Sequence, residues 1–323
     1  MTSTLPSAPP PFPLQVGARG SPLSVAQSGW LRRQLVSAHG LAPEAADTFA
    51  PFTAITTTGD RIQDRTLAEA GGKGLFTKEL DDALLDGRID CAIHSLKDVP
   101  THLPDGIVLL AIPPRADVRD ALITRDGRTL AELPEGAHVG TASLRRAAQL
   151  RHARPDLRIS PLRGNVGTRI GRLAAGDFDA TVLALSGMGR LGVDSQPHHP
   201  LDPVAMPPAI GQGALAVTAR AGDTAVAAAF ARLADAGTQI TIAAERAFLT
   251  ALDGSCRTAT GAYARIEADG TLHLIVEALS GDGAQRFREE ARLPGATTAS
   301  AADLGTSLGA EIRARAGAAL DWS

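Results

Sequence analysis

The sequence predicts an α/β protein of two β/α blocks, with the chain returning from the second to the first, followed by a small α+β unit with an antiparallel sheet. Short apolar runs alternate with helical patterns through residues 14–112 and again through 121–184, the signature of parallel-rich sheets. After a Pro-rich stretch at 197–208, Gly211-Gln212-Gly213 and a strand-like run at 214–218 bring the chain back to the first block, and two crossings make a hinge. From residue 238 a helix is followed by three strands joined by Asp269-Gly270 and Gly281-Asp282-Gly283, both hairpin signals.

The elements follow in order. Residues 1–13 are Pro/Ser/Ala-rich, without a basic start or an apolar core, and read as a disordered tail and not a signal peptide. The protein is therefore expected in the cytoplasm. A strand at 14–18 leads into Arg19, and Ser21-Pro22 supplies an N-cap and a proline at the first helical position. The helix runs to Gly40 on the spacing of Leu23, Ala26, Trp30, Leu31 and Leu35. Free amides and a cation in its entry turn suit an anion. A strand at 49–56 precedes the polar segment 57–74, where Gly71-Gly72-Lys73-Gly74 predicts a mobile loop over a site, with Phe76 just beyond it.

A helix at 77–85 and the buried strand beginning at Cys91 come next. That strand ends in His94-Ser95-Leu96-Lys97-Asp98-Val99-Pro100. Pro100 cannot continue a ladder, so Lys97 and Asp98 stand at the carboxyl end of a strand, where open α/β sheets place ligands. The alternative at this point is that Asp98 caps a turn and Lys97 is solvated. A run at 107–112 stops at Pro113-Pro114. The second block has strands near 121–124, 138–140, 157–161 and 180–184, and helices at 144–154 and 166–174. The third unit has a helix at 238–252, strands at 262–266, 271–279 and 285–292, and a last helix at 301–316. The expected units are 14–113 with 209–235, then 114–208, then 236–323.

At 323 residues the chain is too long for one ordinary core. A hydrophobic fraction of 44% with net charge −3, and no long apolar run, predict no membrane partner. Cys91 and Cys256 are too few for a disulfide framework, and the histidines lack ligand spacing, so no metal is expected. Cys91 lies inside an apolar strand, whereas Cys256 sits in the turn Asp253-Gly254-Ser255-Cys256-Arg257, where a thiol is accessible.

Charge gathers in the second block: eight arginines between Val139 and Arg172 face one acid, Asp156. Arg145 and Arg146 follow Ser143 into the first turn of a helix, and Arg163 precedes another helix entry. Cations at helix N-termini oppose the macrodipole unless they share an anion with the free amides. Only three of the 32 basic residues are lysines, all between Lys73 and Lys97.

Gly71-Gly72-Lys73-Gly74-Leu75-Phe76, His94 to Pro100, Ser143-Leu144-Arg145-Arg146, Leu162-Arg163-Gly164-Asn165-Val166-Gly167-Thr168-Arg169 and Gly254-Ser255-Cys256 resemble, in order and spacing, the porphobilinogen deaminase (hydroxymethylbilane synthase) family from about residue 14 onward. The resemblance implies two lobes like those of bilobal periplasmic binding proteins, a third small domain, and a transferase of tetrapyrrole and haem biosynthesis. It further implies a dipyrromethane cofactor held by a thioether on Cys256, to which four porphobilinogen units are added with release of ammonia before the linear tetrapyrrole is hydrolysed off.

Asp98 matches the catalytic aspartate. Lys97, Ser143, Arg145 and Arg146 match cofactor-holding residues, with Asp98 also contacting the cofactor. Arg19, Ser21, Arg163 and Arg169, together with Arg190 and Gln212, match residues that hold substrate side chains. Gly72, Lys73 and Phe76 match the lid. A monomer is expected. Ala142 and Ala259 depart from the family's serine and proline. A bilobal protein for an anionic solute would share the fold but is usually exported. A nucleic-acid binder is disfavoured by 3% aromatic content.

Overall fold

The computed structural model describes residues 13–61, 74–252 and 258–320. The first part of the chain forms β1 (Val16–Arg19), α1 (Pro22–Ala38), the short α2 (Ala46–Phe49), β2 (Phe52–Ile55), α3 (Thr58–Arg61), α4 (Lys78–Leu85), β3 (Cys91–Ser95) and β4 (Ile107–Ala111). Ser21 caps α1, its hydroxyl accepting from the Ser24 amide, with Pro22 in the first turn. β2 begins three residues later than the sequence pattern indicates, because Phe49 closes a helical turn and Pro51 precedes the strand.

The second part supplies β5 (Asp120–Thr124), β6 (His138–Gly140), α5 (Leu144–Ala153), β7 (Arg158–Ser160), α6 (Val166–Ala174), β8 (Ala180–Ala184), α7 (Leu185–Leu191) and β9 (His198–Pro200). The chain then returns through β10 (Leu215–Arg220) and α8 (Thr224–Phe230). The last part contains α9 (Ala236–Ala251), the strands β11 (Ala259–Ile266), β12 (Leu272–Leu279) and β13 (Arg286–Leu293), and α10 (Thr298–Ala316).

Three sheets result. The first runs β2-β1-β3-β10-β4, the second β7-β6-β8-β5-β9, and the third is the antiparallel β11-β12-β13. β10 lies antiparallel between β3 and β4, so the returning strand completes the sheet that carries Asp98 at the end of β3. The fold is thus two sheet-containing lobes linked by two crossings, plus a small antiparallel unit.

Two expectations need correcting. Both large sheets are mixed, not parallel-rich: in the first, β1 pairs parallel with β2 and β3 while β10 pairs antiparallel with β3 and β4, and in the second, β6 pairs parallel with β7 and β8 while β5 pairs antiparallel with β8 and β9. Residues 198–200, expected in a loop, form β9, which satisfies the free edge of the fully buried β5. The helices α7 and α8 had no sequence counterpart, since each is only seven residues long, too short a window to show a helical period.

Each lobe buries its own apolar clusters. Val16, Leu31, Leu35, Ile93, Val217 and Phe230 fill the first around the sheet and α1. Leu122, Val139, Leu150 and Val182 fill one face of the second sheet, with Ile123, Leu162 and Phe178 on the other. In the third unit α9 and α10 cover the sheet through Phe248, Leu274, Val276 and Ile312.

Gly305 lets α10 approach α9 closely, because an added Cβ would overlap the Ala244 carbonyl oxygen. Helix propensity alone would make Gly305→Ala stabilising by about 1 kcal/mol. Forced backbone displacement should reverse that sign, giving a net loss of roughly 1–3 kcal/mol and a lower Tm by calorimetry.

Candidate active site

β3 ends at Ser95 and tightens into a 3-10 turn over Leu96–Asp98. Leu96 buries itself, so the turn sends Lys97 and Asp98 outward from the sheet end. Arg19, at the end of the parallel neighbour β1, points to the same place. Its Nη1 lies 3.6 Å from Asp98 Oδ2, and the Asp98 side chain keeps 32% of its surface. Both open onto one cavity, whose walls include Ser21, Gln27, Phe76 and Ser95. The Phe76 ring packs beneath the Arg19 guanidinium, 4.0 Å from centroid to carbon.

Arg19 is held from its far edge. Asp60 in α3 accepts from Nε at 3.2 Å and Nη2 at 2.5 Å. Burial would raise the Asp60 pKa, but hydrogen bonds from Arg19 and Thr57 outweigh it and hold the carboxyl below its usual value. Behind the cavity His94 is buried and shares a 2.9 Å hydrogen bond with the Thr218 hydroxyl. Burial, with Arg19 adding to it, lowers its pKa to about 4, so the imidazole is neutral at physiological pH.

Across the cleft the second lobe presents α5 and α6. Ser143 caps α5 by accepting from the Arg146 amide at 3.4 Å, and Asn165 caps α6 by accepting from the Thr168 amide at 2.8 Å. The arginines that follow Ser143 turn inward onto one buried acid. Asp120 Oδ2 accepts from Arg145 Nη2 at 2.7 Å, and Oδ1 accepts from Arg146 Nη2 at 2.6 Å. Burial would raise the Asp120 pKa, but the two guanidinium groups hold it far below the carboxylate range. Gln212, on the returning chain, donates to the same Oδ1 at 2.8 Å.

Polar capacity is left over in this wall. The Nε atoms of Arg145 and Arg146 and the Oε1 of Gln212 are buried without a hydrogen-bond partner among the described residues. Arg169 donates through Nε to the Gly164 carbonyl at 2.8 Å, and its pKa falls to about 10 through burial and the nearby charges of Arg146 and Arg163. Lys97 reaches toward the same cations. Its side chain is solvent-accessible but crowded by protein in the cleft, and that desolvation, with Arg146 adding to it, lowers its pKa to about 8 against the pull of Asp98 and Asp120. Cations this close call for an anion, and guanidinium forks suit carboxylates.

The residues expected from the sequence are therefore distributed as follows. Arg19, Ser21, Phe76 and Asp98 share the cavity, and Lys97, Arg146, Arg163 and Arg169 share one electrostatic field. Arg145 is spent on Asp120, Gln149 and the Pro207 carbonyl, while Arg190 donates to the Gly213 carbonyl at 3.0 Å. Gln212 bonds the Val118 carbonyl as well as Asp120. Gly72, Lys73 and Cys256 lie outside the described residues. Cys91 is buried in the first lobe's core, and burial pushes its thiol far up.

Sequence reading missed Asp60, Asp120 and Gln27. Asp120 had a faint signal, an acid directly ahead of an uncharged apolar run. Asp60 had none, being 41 residues from Arg19.

Fold and site together define a two-lobed α/β protein whose cleft sets one carboxylate opposite a wall of cations suited to a polycarboxylate. Residues 14–228 match porphobilinogen deaminase, dipyromethane cofactor binding domain, and residues 239–314 match porphobilinogen deaminase, C-terminal domain. The porphobilinogen deaminase of Phenylobacterium zucineum is 54% identical over 314 residues, covering 95% of this chain and 98% of the relative. Those of Caulobacter sp. and Sorangium cellulosum are 53% and 48% identical, covering 95% and 94% of this chain and 98% and 99% of theirs. The chain belongs to the porphobilinogen deaminase family, whose dipyrromethane-cofactor-binding domain it contains.

The lowered Lys97 pKa makes anion binding pH-dependent. Protonated below about 8, Lys97 loses its charge as pH rises through that value. The affinity for a carboxylate-bearing pyrrole, read as Kd by calorimetry, should weaken between about pH 7 and 9, where an ordinary lysine would leave it flat. Lys97→Met should bind more weakly at pH 7 and lose that dependence.

Proposed function

We propose that the protein condenses four porphobilinogen molecules head to tail, releasing ammonia at each step, on a dipyrromethane joined to Cys256, and then hydrolyses off the linear tetrapyrrole. It is thus a transferase of tetrapyrrole biosynthesis. The observation that carries the reading is Asp98 at the strand end, beside Arg19 and opposite the cation wall. The donor set fits the cofactor: unpartnered buried Nε atoms on Arg145 and Arg146, with Lys97 nearby, are what acetate and propionate groups would complete. When bound, the cofactor supplies the pyrrole end to which the first substrate is joined.

In this reading Lys97, Ser143, Arg145, Arg146 and Asp98 hold the cofactor, and Arg19, Ser21, Arg163, Arg169, Arg190 and Gln212 serve substrate side groups. Arg190 and Gln212 would do so chiefly by shaping the wall, since their polar atoms are largely engaged by the protein. Asp98 accepts pyrrole N–H groups and stabilises the cation that develops when ammonia leaves porphobilinogen. We divide the chain into units 14–113 with 209–235, 114–208 and 236–323, a division that the three sheets support. We read the chain as a monomer working in the cytoplasm, where a free thiol stays reduced before it is modified.

Intact-mass analysis and peptide mapping of protein from a host that makes porphobilinogen should find a two-pyrrole adduct on Cys256 and none on Cys91. An unmodified Cys256 would contradict the reading. For Asp98, replacement by Asn keeps the shape and removes the charge, so Asp98→Asn should fold and carry cofactor yet lose turnover by roughly a hundredfold or more. Asp98→Glu should be slow and accumulate partly elongated chains, visible in the mass spectrum. Near-normal turnover of the Asn variant would reduce Asp98 to a turn cap.

A further inference from the structure

Arg19 and Asp98 form only a long ion pair. Their nearest approach is 3.6 Å, whereas the opposite edge of the same guanidinium makes three contacts of 2.5–3.3 Å with Asp60. A guanidinium freed from Asp60 could turn its fork onto Asp98, as arginine and carboxylate prefer. We propose that Asp60 is a positioning residue that keeps Arg19 from masking Asp98, leaving the Asp98 carboxylate open to pyrrole N–H groups and the Arg19 Nη1 edge open to a substrate carboxylate.

The surroundings fix Asp60 for this task. Its Oδ2 accepts from the Thr57 amide at 3.2 Å and from the Thr57 hydroxyl at 2.8 Å, and Thr57 is buried. With Arg19 on one side and Thr57 on the other, the Asp60 oxygens have little left for a ligand, so the residue acts through Arg19. Phe76 covers one face of the guanidinium. The Phe76 ring is itself seated against Gly59, where a Cβ would find no room, and the Gly59 amide donates to the Leu75 carbonyl at 2.8 Å. Edge and face of Arg19 are thus set by one small unit built from α3 and the residues ahead of α4.

The inference rests on the role of Asp98 given above, and the experiment separates the two. Asp60→Asn should lower kcat for porphobilinogen about ten- to hundredfold with a smaller change in KM. Beside Arg19→Lys, whose ammonium has no fork to pin, Asp60→Asn should cost less than about twofold more. Independently of turnover, carbodiimide labelling of the purified protein, read by peptide mass spectrometry, should modify Asp98 more slowly in Asp60→Asn than in the natural protein. Asp98 labelling that is unchanged or faster in the variant, or a kcat within twofold of normal, overturns the proposal. A loss that persists in full beside Arg19→Lys overturns it as well. A natural protein that consumes no porphobilinogen would instead overturn the assigned reaction, and the labelling comparison would still decide the position of Arg19.

Discussion

Asp120 makes the arginine wall possible. Two adjacent guanidinium groups cannot be buried beside each other without a counter-charge, and a single carboxylate at the head of β5 serves both. Truncating one partner of such a buried cluster typically costs about 3–5 kcal/mol, because the remaining charges lose their compensation. The pairing also has a direction. Each arginine spends Nη atoms on Asp120 and neighbouring acceptors while its Nε stays unsatisfied, so the wall is neutralised enough to fold and still short of acceptors. In the proposed function, a carboxylate-bearing ligand would complete what Asp120 begins.

The same device joins the three parts of the chain. Glu245 in α9 is fully buried and pairs with both terminal nitrogens of Arg115, at the crossing from the first lobe to the second. Its oxygens also accept from the Gly211 amide on the return crossing and from the Ala264 amide in β11. Gly213 completes the junction: its φ is +87°, and a Cβ there would sit 2.6 Å from the Ala116 carbonyl oxygen. Both crossings are therefore threaded through one buried ion pair and one position that only glycine fills without strain. Glu277 does the equivalent for the second lobe, accepting from Gln149 in α5 at 2.6 Å and from Arg286 at 2.5 Å.

Elements with a strong local pattern were legible in the sequence, and so were the residues those elements display. The apolar run ending at Lys97-Asp98 located the carboxyl end of β3, and Ser143 and Asn165 marked two helix entries whose caps the structure contains. What stayed hidden depends on contacts between distant residues. The arginine cluster gave no sign that Arg145 and Arg146 turn inward, because their acid lies 25 and 26 residues earlier. β9 was hidden in a Pro-rich stretch, since what makes it a strand is the open edge of β5 and not its own composition. It was the family resemblance, not the pattern, that grouped these cations as one candidate site.

The third unit also reaches the turn that carries Asp98 directly, which bears on why a separate unit is present at all. Arg246, one residue beyond Glu245 on α9, donates to the carbonyls of Val99, Pro100 and Thr101, and burial lowers its pKa. These carbonyls follow Asp98 immediately, and Pro100 supplies no amide with which a regular ladder could form. Left to itself that stretch would satisfy its acceptors with water and wander; the guanidinium fixes all three from one side. Helix α9 thus carries two consecutive anchors, Glu245 to the crossings and Arg246 to the turn behind Asp98. Any change in how the third unit seats on the lobes must then move the Asp98 turn together with α9, which ends at Ala251, five residues before Cys256 in the sequence.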